Sequence, residues 1–121
     1  MFREYIQKLV DKLDGGIAGV LMGFDGIIVD SYAKIGFESA LPEVQTLAME
    51  FSHLVSQTRR TVTSLDAGTL QEVSVRTDSI ALIVHVLTEE YFLACAMMPN
   101  ANAGKARYLI KVAAPQIRAE L

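Results

Sequence analysis

Residues 70–97, LQEVSVRTDSIALIVHVLTEEYFLACAM, decide the fold. In the first third, Val73 and Val75 alternate with polar residues, which is typical of a half-buried strand. The segments 79–87 and 91–98 are apolar at successive positions, so both faces of each predicted strand must be covered. The turns between the three strands are too short for a crossover helix, and they therefore predict an antiparallel meander.

Upstream of the meander, the sequence predicts a helix that leads into a hairpin. Residues 2–14 carry apolar side chains at helical spacing, and Gly15-Gly16 ends that helix. The segments 17–23 and 27–33 predict two strands. Asp25-Gly26 between them is typical of a tight hairpin turn.

Two further helices complete the chain. After a loop at 34–42, Pro42 favours the start of a long middle helix. The last helix begins near Ala103, and Pro115 within it predicts a kink or a break near Ala113. The buried stripe of the middle helix is predicted to comprise Val44, Leu47, Ala48, Phe51, Val55, Val62 and Leu65.

The order of elements, αββαβββα, predicts an α+β fold with three layers, α/β/α. A five-stranded antiparallel sheet forms the middle layer, with the long middle helix on one face and the two terminal helices on the other. The 121 residues contain no linker, repeat or low-complexity segment. We therefore expect a single domain over residues 1–121.

Composition argues against several classes of protein. The net charge of -3 and the lack of a basic run argue against nucleic-acid binding. Cys95 is the only cysteine, so neither a disulfide nor a thiolate zinc site is expected, and no residue pattern indicates a cofactor. No apolar stretch reaches the roughly 20 residues of a membrane span, and the first residues do not resemble a signal peptide. We expect a cytoplasmic protein without a membrane partner. Its hydrophobic fraction of 51% suggests that a partner covers part of its surface.

Gly104-Lys105 opens the last helix, as a Gly-Lys pair does in phosphate-binding loops. That motif also requires a glycine five residues before the pair and a Ser or Thr after it. Pro99 and Ala106 occupy those positions here. We therefore expect no binding of ATP or GTP, and we interpret Lys105 as a solvated side chain at the start of a packing helix.

No combination of residues predicts an enzyme. His85 lies in an apolar strand, and Ser52 and His53 point to different sides of the middle helix, so they cannot form a nucleophile–base pair by themselves. No His, Cys, Asp or Glu group has the spacing of metal ligands. Arg59-Arg60 is compatible with an arginine finger, although two solvated helix residues that interact with carboxylates are the simpler interpretation.

The chain resembles the roadblock family, which includes the dynein light-chain roadblock and its bacterial relatives. The order of elements corresponds over essentially the whole chain. GGIAGVLMGFDGIIVDS at residues 15–31 resembles the first hairpin of the family, and residues 70–97 resemble its meander. NANAGKARYLIKVAAPQI at residues 100–117 resembles the opening of its last helix, through Gly104, Ala106 and Arg107.

The resemblance implies a non-enzymatic dimerisation module that binds or regulates a small Ras-like GTPase, or that serves as an adaptor in a larger scaffold. The strand within 70–78 has no proline or lysine, so the sequence also predicts an unprotected sheet edge that pairs with a second copy. The predicted residues of this homodimer interface are Phe51, Leu54, Val73 and Val75.

Opposite its buried stripe, the middle helix presents a row of residues as a candidate binding surface for the GTPase. The predicted partner-binding residues are Met49, His53, Gln57 and Arg60. Met49 is the apolar anchor of this row and Arg60 a polar rim contact. A plain solvated helix face is the other interpretation of the same residues.

A ligand-sensing module or a structural scaffold subunit is the alternative function. A sensor requires a polar cluster beneath the sheet. The polar or titratable residues that the strands offer are scattered: Asp30, Ser31, His85 and Cys95.

Overall fold

The computed structural model describes residues 1–121 and confirms the predicted order of elements. The helices are α1 (Phe2–Lys12), α2 (Leu41–Ser64) and α3 (Ala103–Arg118). The strands are β1 (Gly16–Gly23), β2 (Ile28–Ala33), β3 (Glu72–Arg76), β4 (Ala81–Val86) and β5 (Tyr91–Met97). A short 3-10 helix, Glu38–Ala40, lies within the predicted loop before α2.

The five strands form one antiparallel sheet in the order β2-β1-β5-β4-β3. The predicted hairpin, β1–β2, and the predicted meander, β3–β5, join where β1 pairs with β5. β3 and β2 are therefore the two edges of the sheet. The first hairpin closes as predicted: Gly26 has φ +85°, and Asp25 Oδ1 accepts a hydrogen bond from the Ile27 N–H at 3.0 Å.

Helices cover both faces of the sheet, which confirms the three-layer fold. On one face, α1 and α3 enclose a core that includes Leu21, Leu93 and Ile110. On the other face, α2 packs on β1 and β2 around a core that includes Val20 and Phe92. No helix of the chain combines the length and the apolar character that crossing a membrane would require.

Two details differ from the predicted helices. A kink or a break was predicted near Ala113, and since α3 continues through Pro115 to Arg118, the helix does not break there. Pro115 is exposed in the last turns, and its buried neighbours, Ala114 among them, hold that end of the helix on the core. Leu65, which was expected in the buried stripe, is 72% exposed because α2 ends at Ser64. Ser52 is buried instead, with its hydroxyl donating to the Met49 carbonyl at 2.6 Å.

Gly19 sets the distance between β1 and α1. A Cβ atom at this position would lie 2.5 Å from Cγ2 of Ile6, which is completely buried and has no room to move. We expect Gly19→Ala to lower the free energy of unfolding by about 1–3 kcal/mol, the usual cost of an overpacked core. Denaturant titration followed by circular dichroism measures this change.

Gly104→Ala is the matched control for Gly19→Ala. The atom nearest to its new methyl group is Oδ1 of Asn102, at 3.3 Å and at the end of an exposed side chain. We expect the free energy of unfolding to change by less than about 1 kcal/mol, since alanine is also the better helix former. Equal losses in the two variants would contradict the packing argument.

Candidate interaction surface

β3 presents unpaired backbone groups at its outer edge. The Val86 N–H donates to the Gln71 carbonyl at 2.9 Å, and the Thr77 N–H donates to the Ile80 carbonyl at 2.8 Å. In an antiparallel ladder, residues that bond to the neighbouring strand alternate with residues that do not. Gln71 and Thr77 bond to the β4 side, so Val73 and Val75 between them also bond to β4. The N–H and carbonyl of Ser74, at the centre of β3, therefore point away from the sheet.

The side chains of β3 separate onto the two faces of the sheet. Val73 and Val75 lie opposite Val84 and Leu82 of β4, which belong to the core beneath α2. Both β3 valines are only half-buried. This part of the apolar face is therefore incompletely covered within one copy of the chain.

The flank of α2 that carries Leu54 faces the β3 side of the molecule. On the opposite flank, Gln45 Nε2 donates to the Ser31 hydroxyl of β2 at 3.1 Å. Leu54 follows Gln45 by nine positions, which is about 180° around the helix axis at roughly 100° per residue. Leu54 is 43% exposed, and Phe51 on the same flank is half-buried. The structure thus brings both residues to the side on which Val73 and Val75 lie.

The four residues predicted to bind a partner form one exposed row on the solvent side of α2. Met49, His53, Gln57 and Arg60 are all exposed, Met49 by 40%. Met49 follows Gln45 by one helical turn, so it lies nearer to the β2 flank than to the Leu54 flank. The row is therefore separate from the β3 edge, and nothing in its geometry prevents both surfaces from being occupied together.

Arg59 contacts an aromatic ring and a backbone carbonyl, whereas the simpler interpretation of the sequence placed it in solvent beside a carboxylate. Its guanidinium stacks on the ring of Phe24 at 3.9 Å and donates to the Glu89 carbonyl at 3.0 Å. These contacts fix α2 against the two turns at one end of the sheet. The neighbouring Arg60 is exposed, as expected.

Cys95 and His85 are the strand residues whose pKa the fold shifts by burial. Burial raises the pKa of the Cys95 thiol to about 12, so the thiolate that reacts or binds metals is scarce at neutral pH. Burial, followed by the charges of Arg118 and Lys111, lowers the pKa of His85. No group of three or more His, Cys, Asp or Glu residues lies close enough together to hold a metal ion.

Asn102 explains the segment around Gly104-Lys105. It caps the N-terminus of α3, because its Oδ1 accepts a hydrogen bond from the Lys105 N–H at 3.0 Å. The Lys105 side chain is exposed. This cap was not predicted, although an asparagine directly before a helical pattern is a recognised N-cap signal.

Solved structures similar to this chain share the same architecture. The chain is 37% identical to MglC from Myxococcus xanthus over 99% of this chain and 98% of that one, with a TM-score of 0.70. It is similar in fold to a Roadblock/LC7 domain from Streptomyces avermitilis, with 23% identity over 97% and 94% of the two chains and a TM-score of 0.82. The gliding protein mglB from Thermus thermophilus has 19% identity over 98% and 88%, with a TM-score of 0.83. The chain matches no family model and no curated protein sequence.

Substitutions at Asn102 and Lys105 distinguish a helix cap from a phosphate-binding loop. We expect Asn102→Ala to cost about 1 kcal/mol of stability through loss of the cap, and Lys105→Ala to stay within about 0.5 kcal/mol. Thermal denaturation measures both. Calorimetry with ATP and GTP should detect no binding that depends on Lys105. A micromolar nucleotide affinity that Lys105→Ala abolishes would show that the loop binds phosphate after all.

Proposed function

The chain belongs to the roadblock family, and on that basis we propose that it is a non-enzymatic homodimeric adaptor that binds a small Ras-like GTPase. The observation that carries the proposal is the open edge of β3, beside a half-covered apolar face and an exposed leucine on α2. The relatives named above support the family assignment. The dimer and the GTPase are inferred from this chain's own surface and from the family.

The β3 edge supports pairing with a second copy of the chain. Edge strands are usually blunted by proline, lysine or a bulge, and β3 has none of these. A two-fold axis beside Ser74 would pair β3 with its copy and satisfy the outward-pointing backbone groups of both strands. The same axis would bring the two Leu54 side chains toward each other above Val73 and Val75, which would complete the apolar layer.

The exposed row on α2 supports a separate binding surface for the GTPase. Met49 supplies an adaptable apolar contact, and Arg60 lies further along the helix with no carboxylate within 4 Å. A dimer would present this row twice. The switch loops of a GTPase are the natural target of such a surface, because their conformation reports which nucleotide is bound.

The dimer predicts opposite outcomes for two neighbouring proline substitutions. Ser74→Pro removes an N–H that points outward, so we expect a folded monomer whose dimer dissociation constant has risen at least tenfold. Val75→Pro removes a donor of the internal ladder to β4, so we expect it to destabilise the fold itself. Analytical ultracentrifugation reports the dimer, and circular dichroism reports the fold.

Leu54→Glu tests the dimer interface, and Met49→Glu is its matched control, because both side chains are about equally exposed on the same helix. We expect Leu54→Glu to weaken the dimer by about 2 kcal/mol, the scale of an interface hot spot, and Met49→Glu to leave it intact. A wild-type chain that sediments as a monomer at micromolar concentration would overturn the proposed dimer.

The GTPase surface is tested with the double variant Met49→Glu, Arg60→Glu. We expect it to stay folded and dimeric while its affinity for the cognate GTPase falls by about 2 kcal/mol or more. Biolayer interferometry against the Ras-like GTPases of the source organism, loaded with GDP or a non-hydrolysable GTP analogue, measures this loss.

The double variant Met98→Glu, Arg3→Glu makes the same change in charge at exposed positions outside α2, and Met98 is 38% exposed. We expect it to bind the GTPase as the wild type does. Normal binding by a folded, dimeric Met49→Glu, Arg60→Glu variant would exclude this row as the docking surface.

A further inference from the structure

A cavity of about 600 Å³ lies at the end of the sheet where β4 turns into β5. Its walls come from the C-terminal half of α2, residues 68–71 before β3, the β4–β5 turn and the end of α3. Only three of its twelve lining residues are hydrophobic, and none is Phe, Tyr or Trp. The cavity has the size of a small-molecule site, but its walls suit a polar ligand without a stacked base.

Two arginines from opposite layers of the fold converge on this cavity. Arg118 of α3 donates from Nε to the Leu87 carbonyl at 2.7 Å, and Arg59 of α2 donates from Nη1 to the Glu89 carbonyl at 3.0 Å. Both acceptors belong to the β4–β5 turn. A carbonyl group has no net charge, so these bonds hold the two guanidinium groups in place without neutralising them, and Arg59 is held further by its stacking on Phe24.

Neither charge is balanced from within the protein. The only salt bridge joins Arg107 to Glu72, so no carboxylate oxygen lies within 4 Å of Arg59 or Arg118. Glu89 lines the cavity but binds Arg59 through its backbone carbonyl. In a chain with a net charge of -3, two restrained and unpaired cations at one cavity favour an anionic ligand.

The remaining polar groups of the cavity can complete the binding of an anion. His85 places Nε2 3.4 Å from Arg118 Nη2, and its ring can donate or accept a hydrogen bond according to its tautomer. The hydroxyl-bearing residues Thr63 and Thr69 also line the cavity. None of these residues belongs to the β3 edge or to the exposed row on α2.

We propose that this cavity binds a small phosphorylated molecule, with Arg59 and Arg118 pairing with its phosphoryl group. A phosphoryl group near neutral pH carries close to two negative charges, which matches two guanidinium groups better than the single charge of a carboxylate does. The planar donors of arginine also suit bidentate contacts to phosphate oxygens. The proposed site includes no residue of the β3 edge or of the exposed row on α2.

Inorganic phosphate is the probe, titrated into the full-length protein at constant ionic strength with acetate as the monoanionic comparison. We expect saturable NMR shifts at Thr69, Gln71, His85 and Thr88. Arg59→Gln and Arg118→Gln should each weaken phosphate binding at least tenfold. Acetate should bind at least tenfold more weakly than phosphate.

Arg76→Gln is the matched control, because Arg76 also donates to a backbone carbonyl, that of Pro99 at 2.9 Å, outside this cavity. We expect it to bind phosphate as the wild type does. Glu89→Gln removes a negative charge from the cavity wall and should tighten phosphate binding at least twofold. This variant still tests the proposal if an arginine variant does not fold.

Three results would overturn the proposal. The first is the absence of saturable phosphate binding. This result would overturn the proposal even if the protein bound a peptide that carries phosphoserine. The second is an equal loss of binding in Arg76→Gln and Arg118→Gln, which would indicate non-specific charge. The third is acetate binding as tight as phosphate binding, which would rule out selection of a dianion.

Discussion

Two of the three interior strands, β1 and β5, carry apolar side chains on both faces, and the rest of the structure depends on covering both faces. All eight residues of β1 are buried, as are six of the seven in β5. Two helices close one face, and α2 alone closes the other. Because α2 packs on β1 and β2, the face near β3 is the part that one chain covers least.

The position of α2 is fixed at both ends by polar contacts. Gln45 bonds to Ser31 near its start, and Arg59 bonds to Glu89 and stacks on Phe24 near its end. These contacts hold the helix over the β2 side of the sheet and turn Leu54 toward the uncovered side. The same rotation leaves Met49 in solvent, so the proposed dimer and GTPase surfaces follow from one placement of one helix.

The alternation of apolar residues was sufficient to predict the strands and their hairpins, because side-chain direction in a strand has a period of two. The pairing of β1 with β5 was not predicted, since local patterns do not specify which distant strands become neighbours. Of the kink or break predicted at Pro115, the break does not occur, because tertiary packing of the last turns outweighed a local preference.

The candidate sites, like the fold, could be predicted from the sequence only in part. Helical periodicity predicted the exposure of Met49, whereas the binding role of Met49 and of its neighbours stays a prediction. The cavity between Arg59 and Arg118 had no signal in the sequence, because its residues come from separate segments that only the fold brings together. The attachment of each arginine to the β4–β5 turn could be seen only in three dimensions.

Hydrogen exchange at β3 tests the central claim, that the open edge pairs with a second copy. The Ser74 N–H points outward, while the Val75 N–H belongs to the internal ladder, so the two amides report different bonds in one strand. We predict that Ser74 exchanges slowly in the wild type and becomes fast on dilution to monomer, whereas Val75 stays protected. Fast exchange of the Ser74 N–H in a sample that sediments as a dimer would contradict this claim and would show that the dimer interface lies outside β3.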